Sequence, residues 1–361
     1  MYWKCAPGKI FAGRFALRVR FDFKPEIGKL VGKKPSLVTG AAGFIGSHIV
    51  DHLITAGHDV IGIDNFATGR PENIAHLESV SNFSFYEADI CNPDVMDNVM
   101  QGIKWVFHIA GIGDIVPSIE TPLDYHRANV DGTAVCLESA RKNGIERFLY
   151  AASSTCYGLA TEYPTPEDHP IQPEYPYALS KYMGEELVMH WGQVYGMSVA
   201  SLRMFNVYGP RSRTTGAYGA VFGVFLAQKL AGRAFTVVGD GRQSRDFTYV
   251  SDVADAFLTV AASELAGEAV NVGSGGTYSI NRLVELLGGN KINIPKRPGE
   301  PDQTFADVSR IRDATGWQAK VSFEDGVTKM LGQIDKWRDA PVWTPDTIAD
   351  ATEIWFKYLA K

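Results

Sequence analysis

Residues Ser36–His48 read SLVTGAAGFIGSH, and this stretch decides the fold. A short apolar run leads into glycines at every third position, Gly40, Gly43 and Gly46, and an amphipathic run follows them. This order predicts a strand, a tight turn and a helix. Glycine lets the backbone reverse sharply and approach a phosphate, whose charge is stabilised by the N–H groups at a helix N-terminus. The stretch therefore predicts a phosphate-binding turn, although glycine triplets also occur in ordinary turns.

The composition indicates a globular chain large enough for two lobes. Of its 361 residues, 45% are hydrophobic and 21% are charged, and no run approaches the ~18 apolar residues that a membrane span needs. The net charge of −6 argues against nucleic acid as a partner, because polyanion binding depends on Lys and Arg. Widely spaced cysteines predict free thiols and a cytoplasmic location. The cysteines are Cys5, Cys91, Cys136 and Cys156.

Residues 1–35 do not share the pattern that follows them. They carry nine Lys/Arg and two Asp/Glu, a local charge of 9 − 2 = +7. The acidic residues fit a transit peptide poorly, and no apolar segment resembles a secretory signal. We expect a disordered tail in preference to a targeting arm.

From Ser36 onward, apolar runs alternate with helix-length segments. This alternation predicts a doubly wound α/β fold of the Rossmann type, with a parallel sheet and right-handed crossovers. The predicted strands are residues 36–38, 59–63, 83–86, 105–108, 147–151 and 199–203, and the predicted helices include 46–56, 129–143 and 180–195. Beyond residue 206 the alternation loosens, with helices predicted near 220–231 and 279–287, which indicates a second, smaller α/β lobe.

Polar and small residues follow the predicted strands where a dinucleotide would lie. Asp64 ends the second strand eighteen residues after Gly46. A carboxylate there can accept both ribose hydroxyls and would repel a 2′-phosphate, so the sequence predicts NAD in preference to NADP. Asp89 and Ile90 follow the third strand near the expected adenine, and the small residues Ala110 and Gly111 follow the fourth.

Tyr177 and Lys181 form a second constellation, since residues four apart share a helix face. A neighbouring ammonium group would lower the pKa of Tyr177 and make it a base near neutral pH. The serine-rich strand end Ser153–Gly158 precedes this pair. Alternatively, Tyr177 and Lys181 could lie on a solvated helix face. Their position after the predicted cofactor site favours a role in the site.

Together with Arg203–Pro210 (RMFNVYGP), these motifs resemble the extended short-chain dehydrogenase/reductase family. Within that family, the chain is most similar to the NAD-dependent nucleotide-sugar 4-epimerases of the UDP-galactose 4-epimerase type, over residues 36–335. The resemblance implies that Tyr177 is the base, Lys181 holds the nicotinamide ribose, Ser153 hydrogen-bonds the sugar O4, and Thr155 faces the sugar. The implied cofactor-binding residues are Gly40, Gly43, Phe44, Ile45, Gly46, Asp64, Asn65, Asp89, Ile90, Ala110, Gly111, Asn129, Tyr177 and Lys181.

The resemblance also implies a nucleoside-diphosphate sugar as substrate. Asn206, Arg245 and Arg297 would contact the diphosphate, since a guanidinium matches phosphate oxygens. Thr304 occupies a position where bulky residues exclude N-acetylated sugars. Gly113 stands where these epimerases commonly have a lysine that contacts the cofactor, so cofactor retention is expected to differ.

From the resemblance we expect a tail at 1–35, an NAD-binding domain at 36–205 to which 245–262 returns, a nucleotide-sugar lobe at 206–340 and a C-terminal helix at 341–361. Helices 129–143 and 180–195 would form a homodimer interface. His48 and His52 are expected to be surface histidines, and no metal is predicted.

The predicted reaction is epimerisation at C4 through a transient 4-keto sugar. Dehydratases and decarboxylases of the family place an acid after the strand-end Ser/Thr, where this chain has Ser154 and Thr155. A dehydratase, decarboxylase or reductase remains the alternative on this scaffold. A catalytically silent NAD-binding sensor or scaffold is the alternative from another class.

Overall fold

A computed structural model describes residues 34–214 and 220–360 of the chain. The basic tail predicted for residues 1–35 therefore lies, up to residue 33, outside the described residues. The strands are Ser36–Thr39 (β1), Val60–Asp64 (β2), Phe83–Glu87 (β3), Trp105–His108 (β4), Arg147–Ser153 (β5), Val199–Met204 (β6), Val207–Tyr208 (β7), Phe235–Val238 (β8), Ser244–Arg245 (β9), Thr248–Tyr249 (β10), Glu268–Val272 (β11), Tyr278–Ser279 (β12) and Lys291–Ile294 (β13).

Helices connect and cover these strands. The α-helices are Phe44–Thr55 (α1), Pro93–Val99 (α2), Ile115–Glu120 (α3), Pro122–His126 (α4), Gly132–Lys142 (α5), Pro176–Tyr195 (α6), Val221–Leu230 (α7), Val250–Ala261 (α8), Ile280–Leu287 (α9), Ser309–Thr315 (α10), Phe323–Leu331 (α11) and Pro345–Leu359 (α12). No helix of the described ranges is long and apolar enough to span a membrane.

A parallel sheet of seven strands forms the centre, in the order β3-β2-β1-β4-β5-β6-β11. Six of its strands are those that the sequence predicts, and the α/β class is confirmed. The seventh strand, Glu268–Val272, pairs in parallel with β6 but lies within 206–340, which we assigned to the second lobe. That assignment is wrong for this strand. The sequence of a five-residue strand does not indicate which sheet it joins, and the preceding segments belong to the second lobe.

Side chains alternate between the two faces of the sheet. Leu37, Phe148 and Val199 pack beneath α2, α5 and α6, whereas Val38 and Leu149 pack beneath α1 and α8 on the other face. The strands β1, β4, β5 and β6 therefore bury both of their faces, which explains why they read as apolar runs, whereas the edge strand β3 is only partly buried. Helix α8 lies beside α1 on the sheet, where the segment 245–262 was expected to return.

The second lobe has its own core. Helices α7, α9 and α11 enclose a cluster that includes Phe235, Leu283 and Met330. Tyr208 on β7 belongs to this core, and its ring stacks on that of Phe222 at 4.4 Å between centroids. Strands β8 and β13 pair in parallel within this lobe.

A buried ion pair connects the central sheet to α6. The guanidinium of Arg203 on β6 donates to Glu185 on α6 at 2.6 Å, and both side chains are almost fully buried. Arg203 also donates to the Tyr157 hydroxyl at 2.9 Å, and that hydroxyl donates to Asn271 on β11 at 2.7 Å. The pair thus ties the end of β5, the strands β6 and β11, and helix α6 into one network.

Removing one member of this pair should destabilise the fold. We expect Glu185→Leu to lower the free energy of unfolding by about 3–5 kcal/mol, because it leaves the buried Arg203 uncompensated. The double variant Glu185→Leu/Arg203→Met should lose less than the sum of the two single variants. Denaturant unfolding followed by circular dichroism measures these values. Glu138→Leu, which breaks the exposed pair with Arg141, is the matched control and should cost at most about 1 kcal/mol. A loss of unfolding free energy in Glu185→Leu as small as that in Glu138→Leu would contradict the expectation.

Candidate active site

A cavity of about 880 Å³ lies between the carboxyl ends of the parallel strands and the second lobe. This is the edge at which open α/β sheets bind ligands. Most of the predicted site residues line it: Gly40, Gly43, Phe44, Ile45, Gly46, Asp64, Asn65, Asp89, Ile90, Ala110, Gly111, Ser153, Thr155, Tyr177, Lys181, Asn206, Arg245, Arg297 and Thr304. The exception is Asn129, which is fully buried.

The glycine turn leads directly into helix α1. Gly40 has φ +69°, and a Cβ there would lie 2.8 Å from the backbone nitrogen of Ala110. A Cβ on Gly46 would overlap the carbonyl oxygen of Gly40. The helix begins at Phe44 without a side-chain cap, and the first-turn N–H groups of a helix have no partner within it. The turn therefore presents backbone donors to the cavity, as a dinucleotide pyrophosphate requires.

Asp64 is held at the end of β2 by two backbone donors. Its carboxylate accepts from Ala42 N at 3.0 Å and Phe66 N at 2.8 Å. Burial raises the pKa of Asp64, and the backbone hydrogen bonds oppose this shift. A Cβ on Gly69 would lie 2.7 Å from both carboxylate oxygens, so glycine is needed beside them. Each carboxylate oxygen can accept a further hydrogen bond, which fits the ribose hydroxyls of NAD.

Asn129 supports the loop after β4 from behind. Its side-chain oxygen accepts from Ile112 N at 2.8 Å, and its amide nitrogen donates to Ile112 O at 3.0 Å. The same nitrogen donates to the Ser180 hydroxyl at 2.9 Å. The structure thus does not bring Asn129 to the cavity wall, since the side chain is consumed in fixing the loop that carries Gly111 and Gly113.

Ser153, Thr155 and Tyr177 meet at the end of β5. The Thr155 hydroxyl donates to Ser153 Oγ at 2.9 Å. Burial raises the pKa of Tyr177, while hydrogen bonds with Ser153 and Thr155 lower it and the charge of Asp114 raises it. The net shift of the Tyr177 pKa is therefore upward, opposite to the lowering predicted from the Tyr177–Lys181 spacing, because burial outweighs the other effects.

Lys181 lies one turn further along α6, which begins at Pro176 and so places Tyr177 in its first turn. Its ammonium lies over the ring of Tyr150 at 4.3 Å, and a Cβ on Gly111 would be 3.5 Å from it. Burial lowers the pKa of Lys181 to about 7, although Glu185 raises it. The ammonium therefore faces the loop where the cofactor is expected.

Two arginines line the second-lobe side of the cavity around one carboxylate. Arg245 donates to Glu300 at 2.9 Å, and Arg297 lies 3.7 Å from the other carboxylate oxygen of Glu300. Asn206 and Thr304 lie together as well, since the Thr304 hydroxyl donates to Asn206 at 2.6 Å. The structure thus brings all four predicted substrate residues to the same side of the cavity.

Sequence reasoning missed several residues of this site. Asp114 and Arg213 line the cavity and form an ion pair at 2.7 Å, which no local pattern indicates because 99 residues separate them. Glu300 could have been found, because it follows Arg297 within the motif Arg-Pro-Gly-Glu. Trp355, in the C-terminal helix, also lines the cavity.

The histidines predicted for the surface are partly buried instead. His48 Nε2 lies 3.0 Å from the Pro210 carbonyl oxygen, and burial lowers its pKa to about 4. Helix α1 packs on the sheet and beside α8, so its histidines are partly covered. In the part of the chain that the structure describes, no three His, Cys, Asp or Glu side chains form a metal site, and Cys91, Cys136 and Cys156 are free thiols.

Comparisons with known proteins agree with this geometry. Residues 36–273 match the family model described as NAD dependent epimerase/dehydratase family. A UDP-glucose 4-epimerase of Mycolicibacterium smegmatis is 35% identical, covering 82% of this chain and 97% of the relative. The UDP-glucuronic acid decarboxylase 1 of Arabidopsis thaliana is 33% identical, covering 82% of this chain and 68% of the relative.

A solved structure shows the same fold with ligands. The UDP-glucuronic acid 4-epimerase of Bacillus cereus, in complex with UDP-glucuronic acid and NAD, superposes with a TM-score of 0.78 at 32% identity. The alignment covers 84% of this chain and 99% of that chain. These matches confirm the predicted family, its α/β fold and NAD as its cofactor, and they agree with a glycine turn and an Asp64 carboxylate shaped for a dinucleotide. We conclude that the chain belongs to the NAD dependent epimerase/dehydratase family.

Proposed function

We propose that the protein inverts C4 of a UDP-hexose or UDP-N-acetylhexosamine, with NAD as its cofactor. One observation carries this proposal. A single cavity joins the dinucleotide-shaped turn, the Ser153–Thr155–Tyr177 cluster and the two arginines Arg245 and Arg297. An alcohol carbon held at this cluster would therefore lie between the cofactor and a bound diphosphate.

In the proposed reaction, Tyr177 acts as a phenolate, which the positive charges of Lys181 and of a bound oxidised nicotinamide would favour against burial, and its oxygen takes the proton of the 4-hydroxyl. Ser153 and Thr155 hydrogen-bond the sugar O4 and fix its direction, and the arginines hold the diphosphate. NAD supplies reversible hydride transfer at C4 when it is bound. Rotation of the 4-keto sugar within the cavity would expose its opposite face, and Tyr177 would then return the proton. The protein contributes orientation, charge stabilisation and a store for one proton.

The decarboxylase and dehydratase alternatives need a further acid at the sugar. Ser154 and Thr155 occupy the positions where such enzymes place it, and neither is acidic. The structure does bring a carboxylate near Tyr177, that of Asp114, but Arg213 donates to it at 2.7 Å. An ion-paired carboxylate is a poor proton donor, which favours the epimerase over these alternatives.

We further propose that the protein acts in the cytoplasm as a homodimer. The free thiols agree with a reducing compartment. Helix α6 exposes Leu179, Val194 and Tyr195, each with 45% or more of its surface accessible. Such apolar residues along the predicted dimer helix agree with a twofold interface. The division of the chain into an NAD-binding domain and a nucleotide-sugar lobe is likewise part of the proposal.

The function is tested by a panel of UDP-, GDP-, CDP- and dTDP-hexoses incubated with the purified protein. We expect UDP-glucose and UDP-galactose, or their N-acetylated counterparts, to interconvert until both are present, as seen by the proton NMR signal at C4. Incubation without added NAD measures how much cofactor the purified protein retains with Gly113 at its site. A UDP-pentose from UDP-glucuronic acid, or a 4-keto-6-deoxy sugar, would establish an alternative instead, and bound NAD without any turnover would favour the silent binding protein.

Tyr177→Phe should abolish most of the turnover without emptying the site. Loss of the phenolic proton acceptor should lower kcat by about 10²–10⁴-fold, while the ring and its stacking on Tyr175 are preserved. Steady-state kinetics measure the loss, and calorimetric titration with UDP tests that binding persists. Tyr195→Phe, at the exposed end of the same helix, is the matched control. Near-normal epimerisation by Tyr177→Phe would refute the assignment of the base.

Asp64→Asn should weaken NAD binding and reduce the preference of the protein for NAD over NADP. The asparagine oxygen can accept from only one of the two N–H groups of Ala42 and Phe66, and its amide would face the other donor. We expect a dissociation constant for NAD roughly tenfold higher, from an unsatisfied buried hydrogen bond, and weaker repulsion of the 2′-phosphate. Titrations of both dinucleotides measure the ratio, and an unchanged ratio would contradict the role of Asp64.

A further inference from the structure

Helix α12 contributes a wall of the cavity from outside the family model, which ends at residue 273. The helix begins with a capping box formed by Thr344 and Thr347, and it packs against α3, which starts beside the cavity. Trp355 is 5% exposed and lines the cavity with Tyr175 and Arg297. This tryptophan therefore belongs to the site and not only to the packing of the helix.

Trp355 makes three contacts that join elements of the site. Its indole nitrogen donates to the carbonyl of Pro298 at 2.7 Å. The guanidinium carbon of Arg297 lies 5.5 Å from the indole ring. The ring of Tyr175 lies 6.4 Å away, and Tyr175 stacks on Tyr177 with an interplanar angle of 14°. One side chain thus contacts both the arginine and the aromatic pair that contains the base.

These contacts restrain Arg297 in a particular way. The hydrogen bond fixes the backbone one residue after Arg297, and the ring attracts its guanidinium by a cation–π interaction. The ring carries no anionic oxygen, whereas guanidinium N–H groups bind phosphate through charge-assisted hydrogen bonds. Glu300, by contrast, lies 3.7 Å from Arg297 and competes for these groups as an anion would. The indole therefore restrains the arginine without competing as an anion for its N–H groups.

We propose that Trp355 is a positioning residue of the substrate site, which holds Arg297 in place for the diphosphate of a nucleoside-diphosphate ligand. The inference rests on the proposed function for the identity of that ligand. It makes helix α12 part of substrate binding, and it assigns to Trp355 an effect on nucleotide affinity and not on the chemical step.

The test compares Trp355→Leu with the unaltered protein in the full chain. We expect the dissociation constant of UDP, measured by calorimetry, to rise about tenfold, from loss of the cation–π and hydrogen-bond contacts. The KM for the UDP-hexose should rise in parallel, while kcat and NAD content stay within about threefold. Trp355→Phe keeps an aromatic ring but loses the N–H donor and part of the ring area, so it should give an intermediate dissociation constant. Tyr358→Leu, on the exposed side of α12, is the matched control and should change none of these values.

A double variant tests whether Trp355 acts through Arg297. If it does, Arg297→Met should weaken UDP binding, and adding Trp355→Leu should weaken it little further. An unchanged UDP dissociation constant in Trp355→Leu, or additive effects in the double variant, would overturn the proposal. The proposal would also be overturned if UDP affinity, NAD content and melting temperature all fell together in both Trp355 variants, because a loss of packing alone explains that result. If the unaltered protein binds UDP but inverts no UDP-hexose, the proposed epimerase function is refuted and the proposed role of Trp355 is not.

Discussion

The buried pair of Arg203 and Glu185 is the interaction on which the rest of the structure depends. It holds helix α6, which carries Tyr177 and Lys181, against the carboxyl end of β6. Glu185 lies one turn after Lys181 and partly restores the pKa that burial depresses. The second guanidinium nitrogen reaches Tyr157 and the Glu167 carbonyl, so the pair also fixes the loop that follows Ser153. The orientation of the proposed base therefore derives from an ion pair whose residues do not line the cavity.

The pair is costly to bury, and its surroundings explain why it persists. Isolated charges lose hydration in the protein interior, and only a full set of hydrogen bonds offsets that loss. Glu185 accepts from Ser201 at 2.7 Å as well as from Arg203. Asn271, on β11, accepts from Tyr157 and donates to the carbonyls of Thr165 and Asp307. The network thus holds α6 to β6 and to the segment after Ser153 through several directional contacts.

Local patterns in the sequence predict much of the fold and of the cofactor side of the site. The glycine turn, the Asp64 carboxylate and the Tyr177–Lys181 spacing each depend on residues close in sequence, whose geometry a strand or helix dictates. β11 could not be predicted in this way, because its partner lies 68 positions earlier, Glu268 facing Ala200. The contact between Asp114 and Arg213 is equally non-local.

Electrostatic behaviour was harder to predict than position. The direction of the pKa shift of Tyr177 depends on how deeply the cavity buries the phenol, and sequence spacing contains no information on burial. Asn129 was also hard to predict from sequence. Its amide could bind a ligand, but its side chain hydrogen-bonds with Ile112 and Ser180 instead.

The seventh strand has a consequence for the order in which the chain can mature during synthesis. Synthesis proceeds from the N-terminus, and the glycine turn, α6 and six of the seven strands of the central sheet all precede Glu268. Until that strand is made, β6 presents an open row of unpaired backbone groups, and the Tyr157 hydroxyl lacks its acceptor on Asn271. Open strand edges invite pairing with other chains. A nascent chain, or a fragment cut before residue 268, thus contains most of the predicted cofactor-binding residues but leaves the edge of β6 open to pairing with other chains. Pairing of β11 with β6 closes that edge.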